Sequence, residues 1–124
     1  MAKTDLARLK HMLEAAQVCL EFVDNKNRNA LETDKMLSFA VVRALEIFGE
    51  AAANVSKPFQ QNHPEIPWWA IIGMRNRLIH AYFDIDYDIL WQALKHEIPN
   101  LIPDLEILLS DLEVKGWRLQ ICQV

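Results

Sequence analysis

Glycine is scarce, with only three in 124 residues. No glycine-rich loop is present to cradle a phosphate, and no Gly-x-Ser-x-Gly turn to raise a nucleophilic serine. Cysteine is scarcer still, at two. Cys19 and Cys122 stand far apart and form no Cys-x-x-Cys pair, so two buried or free thiols in a reducing compartment are expected. No apolar run approaches the roughly 20 residues needed to cross a bilayer. The opening Met1-Ala2-Lys3-Thr4-Asp5 has an acid close behind its Lys and no apolar stretch, unlike a secretory leader. The expected location is the cytoplasm, away from membranes. None of His11, His63, His80 and His96 has a carboxylate three residues upstream, and none forms a His-Glu-x-x-His pair. Asp84, Asp86 and Asp88 resemble the start of a calcium loop but lack its glycine and its closing glutamate, so helix capping is expected of them instead. The sequence predicts no metal and no cofactor.

Positive charge is also short. The formal net charge is −4 and the pI near 5.5, which argues against a general nucleic-acid coat protein with a basic face. An RNA-cutting enzyme remains open to such a chain if a few placed cations, such as Arg75 and Arg77, do the work.

Apolar residues recur at helical spacing almost throughout, and they make up 52% of the chain against 24% charged, the balance of an ordinary globular protein. The length fits one domain, 1–124. The fold class expected is all-α, with four main helices. The first covers about 4–24, with Leu6, Leu9, Leu13, Ala16, Leu20 and Val23 as its stripe and Thr4 or Asp5 as cap. A polar segment, Asp24–Asn29, ends it. The second covers about 34–55, with Thr33 as N-cap and Met36, Ala40, Val41, Ala44, Phe48, Ala51 and Val55 buried. Its Arg43, Glu46 and Glu50 form a row that either pairs along a solvated face or supports a site. A loop with Pro58, Pro64 and Pro67 leads into the third helix, about 67–81. The last helix carries Trp91, Leu94, Ile98, Leu101, Leu105, Leu108 and Leu112. Pro99 and Pro103 should kink or split it, and Gly116 should stop it. Alternation at Trp117, Leu119 and Ile121 predicts a short extended tail.

Chemistry concentrates on the third helix. Arg75, Asn76, Arg77, His80 and Tyr82 bring two guanidinium groups, an amide, an imidazole and a phenol within eight residues. These groups suit metal-free RNA cleavage: the imidazole moves protons, an arginine stabilises phosphate charge, and the 2′-hydroxyl is the nucleophile. On a straight helix Trp69, Gly73, Asn76 and His80 share a face, while Arg75 lies about 140° from His80. Either Arg75 bends round, or the helix ends before His80, or two chains share a composite site. Gly73 would permit close approach of a second copy.

Arg75-x4-His80-x-Tyr82 matches the Arg-x4-His-x-Tyr pattern of the HepT-type HEPN toxins. Leu45–Ala52 resembles the second-helix stretch of that family. His63–Trp68 and Ile71–Asn76 resemble the lead into its active-site helix, and Tyr82–Asp86 with Trp91 resembles the stretch beyond that helix. The resemblance spans roughly residues 5–113 and leaves out the tail, 114–124. It implies an up-and-down HEPN bundle of four to five helices, acting as a homodimer with its sites near the seam. The implied activity is that of a metal-independent endoribonuclease toxin, cutting tRNA or mRNA as in type VII toxin–antitoxin pairs. Arg75 and His80 would be catalytic with Asn76 as helper, and Arg77, Glu46 and Glu50 would support them. A minimal nucleotidyltransferase antitoxin would silence the toxin by binding, or by AMP transfer to Tyr82. A competing reading is a non-catalytic helical module that holds the nucleotidyltransferase.

Overall fold

A computed structural model describes the backbone of residues 3–80 and 84–122, and the side chains of 4–79 and 84–114. Among the described residues the regular structure is wholly helical: α1 (Lys3–Val23), α2 (Arg28–Thr33), α3 (Lys35–Ala53), α4 (Lys57–Asn62), α5 (Trp68–His80), α6 (Tyr87–Gln92), a π turn (Ala93–Glu97) and α7 (Ile98–Cys122). None of these helices is long and apolar enough to cross a membrane.

The core lies where α3 packs against α1 and α5, with α7 closing over α1. The buried face of α1 is Leu9, Met12, Ala16, Cys19 and Val23, with Leu6, Leu13 and Leu20 at its margins. Cys19 is a free thiol, and burial pushes its pKa up to about 12. On α3, Leu37, Val41, Leu45, Phe48 and Ala52 turn inward. Met36, expected inside, is 84% exposed; Leu37 takes the inward position because it lies one turn before the buried Val41, and the helix begins one residue later than Thr33 predicted. Asp34 is its N-cap, accepting from Leu37 N at 3.2 Å.

The two stretches expected as loops each carry a short helix. Asn27 caps α2 by accepting from Ala30 N, and Leu31 is fully buried. Pro58 lies in the first turn of α4, where its missing N–H costs nothing, and Phe59 anchors that helix in the core. Asp5 is no cap for α1. Its carboxylate is 3% exposed and accepts from Ser56 N at 2.9 Å and Ser56 Oγ at 2.7 Å, tying the start of α1 to the entry of α4.

The acidic link behaves as a cap: Asp86 accepts from Asp88 N and Ile89 N at the start of α6. The Arg28 guanidinium donates to Asp88 and Glu32, which raise its pKa, and the bond to Asp88 ties α2 to α6. The break expected from the prolines falls ahead of Pro99. There the Ile98 N–H reaches back five residues to Ala93 O, which opens the turn where Pro99 has no N–H to give and its ring would crowd a carbonyl. The helix then runs on through Pro103. It also runs through Gly116, and residues Trp117–Cys122 are helical rather than extended. One glycine inside a helix costs only about 1 kcal/mol, too little to end a helix this long.

Candidate active site

Gly49 stands inside α3, where alanine would favour the helix by about 1 kcal/mol. Its reason is Arg75. A Cβ built on Gly49 would lie 2.3 Å from Arg75 Cβ, 2.8 Å from Arg75 Cγ and 3.3 Å from Ile71 O. These neighbours are the root of a side chain and a backbone carbonyl, so neither can swing away. The missing side chain lets α5 come down onto α3 with Arg75 at the contact.

Arg75 extends from that contact to Glu50, and its Nη1 donates to Glu50 Oε2 at 2.6 Å. The arginine side chain is 19% exposed and the glutamate 60%, so a mostly buried cation meets a carboxylate on the rim. Glu50 Oε1 also accepts from Nδ2 of Asn54, the C-cap of α3, at 3.3 Å. Arg75 Nε is buried and has no hydrogen-bond partner among the described residues. An unmatched buried donor costs about 1–3 kcal/mol, a cost that is common where groups are held ready for chemistry.

Beside this pair, α1, α3 and the end of α5 enclose a cleft of about 350 Å³. Arg8 and His11 enter it from α1, Arg43, Glu46 and Glu50 from α3, and Ile79 from α5. The acidic row expected on α3 therefore divides by role. Arg43 pairs with Glu46 along the helix at 3.4 Å, while Glu50 reaches across to α5.

The other residues of the motif part company. Successive helical positions turn by about 100°, and Arg75, Asn76 and Arg77 face three ways. Asn76 is exposed in a groove with Gln60 and Trp69. Arg77 is exposed in a second groove with Ile89 and Ala93. Neither reaches the Arg75–Glu50 pair within one chain. His80 is the last residue of α5; its side chain, and all of Tyr82, lie outside the described residues. A Cβ on Gly73 would meet nothing within 4 Å among the described residues, so packing among them does not require that glycine. Among the described residues, no three His, Cys, Asp or Glu side chains are grouped so that they could hold a metal ion.

Arg8 and His11 were not legible as site residues, because nothing in their local sequence signals that α1 brings them beside Glu50. Gly49 did leave a signal, as a glycine in the middle of a helix that is otherwise a good one.

The fold is thus a helical bundle whose central contact seats an arginine, holds it with a carboxylate, and carries a histidine five positions further on. Residues 12–108 match the family described as Ribonuclease HepT-like. A candidate RNase of Methanocaldococcus jannaschii is 40% identical over 109 residues, covering 87% of this chain and 100% of its own. A protein of Thermococcus cleftensis named as a probable ribonuclease HepT is 44% identical over 93 residues, 75% of this chain and 84% of that one. A candidate RNase of Caldanaerobacter subterraneus is 38% identical over 108 residues, 87% and 96% of the two chains. No solved structure gives a significant match. The chain belongs to the HepT-like ribonuclease family, and with it to the enzymes that cut RNA.

Proposed function

We propose that residues 1–124 act as one HEPN-type domain, a homodimeric endoribonuclease toxin that needs no metal. The observation that supports this reading best is the seat of Arg75: a glycine cleared for it, a carboxylate holding it, and one buried N–H left unmatched. In the proposed reaction the 2′-oxygen of RNA bonds to the adjacent phosphorus as the bond to the 5′-oxygen breaks. His80 carries the proton from the 2′-hydroxyl towards the leaving oxygen. Arg75 stabilises the added charge on the phosphoryl oxygens. Asn76 faces away from Arg75, which favours a composite site near a dimer seam, with Asn76 as a polar helper there. The cellular role would be that of the toxin in a type VII-like pair. A minimal nucleotidyltransferase would silence it by binding or by AMP transfer to Tyr82, where a bulky anion would repel RNA phosphates.

Expression of the chain alone in bacteria tests this reading. Growth arrest that disappears with His80→Ala is the expected result. Co-expression with a minimal nucleotidyltransferase should restore growth, and mass spectrometry of the tryptic peptide should then show whether Tyr82 carries AMP. Equal tolerance of the wild type and His80→Ala would support a non-catalytic module that holds the nucleotidyltransferase.

A further inference from the structure

The cleft between α1 and α3 holds cations that the Arg–His motif does not account for. Arg43 is 71% exposed and has only a long contact to Glu46, at 3.4 Å. Arg8 and His11 make no ion pair among the described residues, while Lys10, beside them in sequence, is drawn away to Glu113 on α7. One carboxylate of the cleft, Glu50, is already engaged by Arg75. The other, Glu46, is only 24% exposed against the exposed head of Arg43. With Arg75 set against the exposed carboxylate of Glu50 and Arg43 against Glu46, Arg8 is left as a surplus cation at the cleft, on a chain whose net charge is −4. Glu50, the partner of Arg75, and Ile79, the neighbour of His80 in sequence, both line the cleft, which sets it beside the Arg–His motif.

We infer that this cleft binds the RNA backbone next to the scissile bond, with Arg8 and Arg43 each taking a phosphate and His11 offering an N–H donor. The inference rests on the ribonuclease reading and adds to it the track that an acidic chain otherwise lacks. A guanidinium can grip two phosphate oxygens at once. Arg43 can exchange its long contact to Glu46 for such a grip at little loss, because an exposed pair of this kind contributes about 0–1 kcal/mol. Phosphate contacts of this sort set position and affinity and carry no base preference.

Salt dependence reads the contacts directly, since each phosphate neutralised on a single strand adds about 0.7 to the slope of log K against log salt. The protein to use is the intact His80→Ala chain, which separates binding from cutting. The probe is a short fluorescein-labelled single-stranded RNA followed by anisotropy. Arg8→Gln and Arg43→Gln, each added to that background, should lower the slope by about 0.7 and weaken binding at low salt. Lys26→Gln, which removes an exposed cation from the turn after α1, should leave the slope unchanged. Arg8→Lys keeps the charge and should keep the slope, which guards against a fold effect at this half-buried position. Unchanged slopes in both glutamine variants would overturn the inference, as would an equal drop with Lys26→Gln. Cleavage of the same RNA by the wild type is measured alongside. Cutting without a slope change defeats the cleft alone. Binding through the cleft without cutting defeats the ribonuclease reading alone. Neither cutting nor binding defeats both.

Discussion

Gly49 and Arg75 are in mutual contact across α3 and α5, and the gap between them is too small for a methyl group: a Cβ on Gly49 would stand 2.3 Å from that of Arg75. Gly49→Ala therefore sets two effects against each other. Helix propensity gains about 1 kcal/mol, while overpacking against Arg75 and the Ile71 carbonyl costs about 1–3 kcal/mol. The clash should win, because the atoms it meets are not free to move. Urea unfolding should give a lower midpoint than wild type, and RNA cleavage should fall further than stability does.

Glu50 is predicted to act on Arg75 as a positioning residue. Exposed at 60%, it should contribute only about 0–1 kcal/mol to stability. Glu50→Ala should nevertheless slow cleavage by about tenfold to a hundredfold, the scale of a small misplacement. The loss should appear in the single-turnover rate rather than in RNA affinity, and Glu50→Gln should recover part of it. Glu46→Gln, on a residue whose partner is Arg43, should change the single-turnover rate less.

The Asp5–Ser56 link is a matter of stability alone. Asp5→Ala removes two hydrogen bonds from a buried carboxylate and should cost about 2–4 kcal/mol by urea unfolding. Ser56→Ala keeps the backbone bond and should cost less. Neither should alter the cleavage rate at a temperature where the protein is folded.

Cys19 should be inert in the folded protein. Burial raises its pKa to about 12 from an ordinary 9.0, so the thiolate is nearly absent at neutral pH. Alkylation by iodoacetamide, read by peptide mass spectrometry, should reach Cys19 only through unfolding. The raised value also fixes the sign of a pH effect. The folded state holds this proton more tightly, so the contribution is complete below about 9.0 and is lost as pH rises towards about 12. Cys19→Ala should therefore flatten the alkaline fall in stability between those limits.

The four long helices were legible in the sequence because each carries an apolar stripe of helical period. Helices α2 and α4 were hidden, since six residues leave too short a stripe to stand out from a polar stretch. Met36 and Leu37 show how little separates two faces: both are apolar, and Leu37 turns inward because it continues the buried row of Val41, Leu45 and Phe48 one turn earlier. Gly116 misled in the other direction, because its local cost is real but small beside that of ending α7. At the site, helix geometry alone indicated that Arg75 and Asn76 face apart. That Glu50 crosses to Arg75 while Glu46 stays with Arg43 depends on where α5 lies against α3, which no spacing within α3 encodes. Arg8 and His11 come to the cleft by the same tertiary route.

Under the proposed function, Arg75 and His80 cut RNA without a metal. The measurement that tests it most directly is cleavage of tRNA and total RNA in EDTA, with wild type, Arg75→Ala and His80→Ala purified side by side as folded proteins. Before the assay, mass spectrometry should show Tyr82 unmodified. The wild type should cut, and both variants should be inactive. Cutting by either variant at the wild-type rate, or a wild type that cuts only when a divalent metal is restored, would contradict the claim.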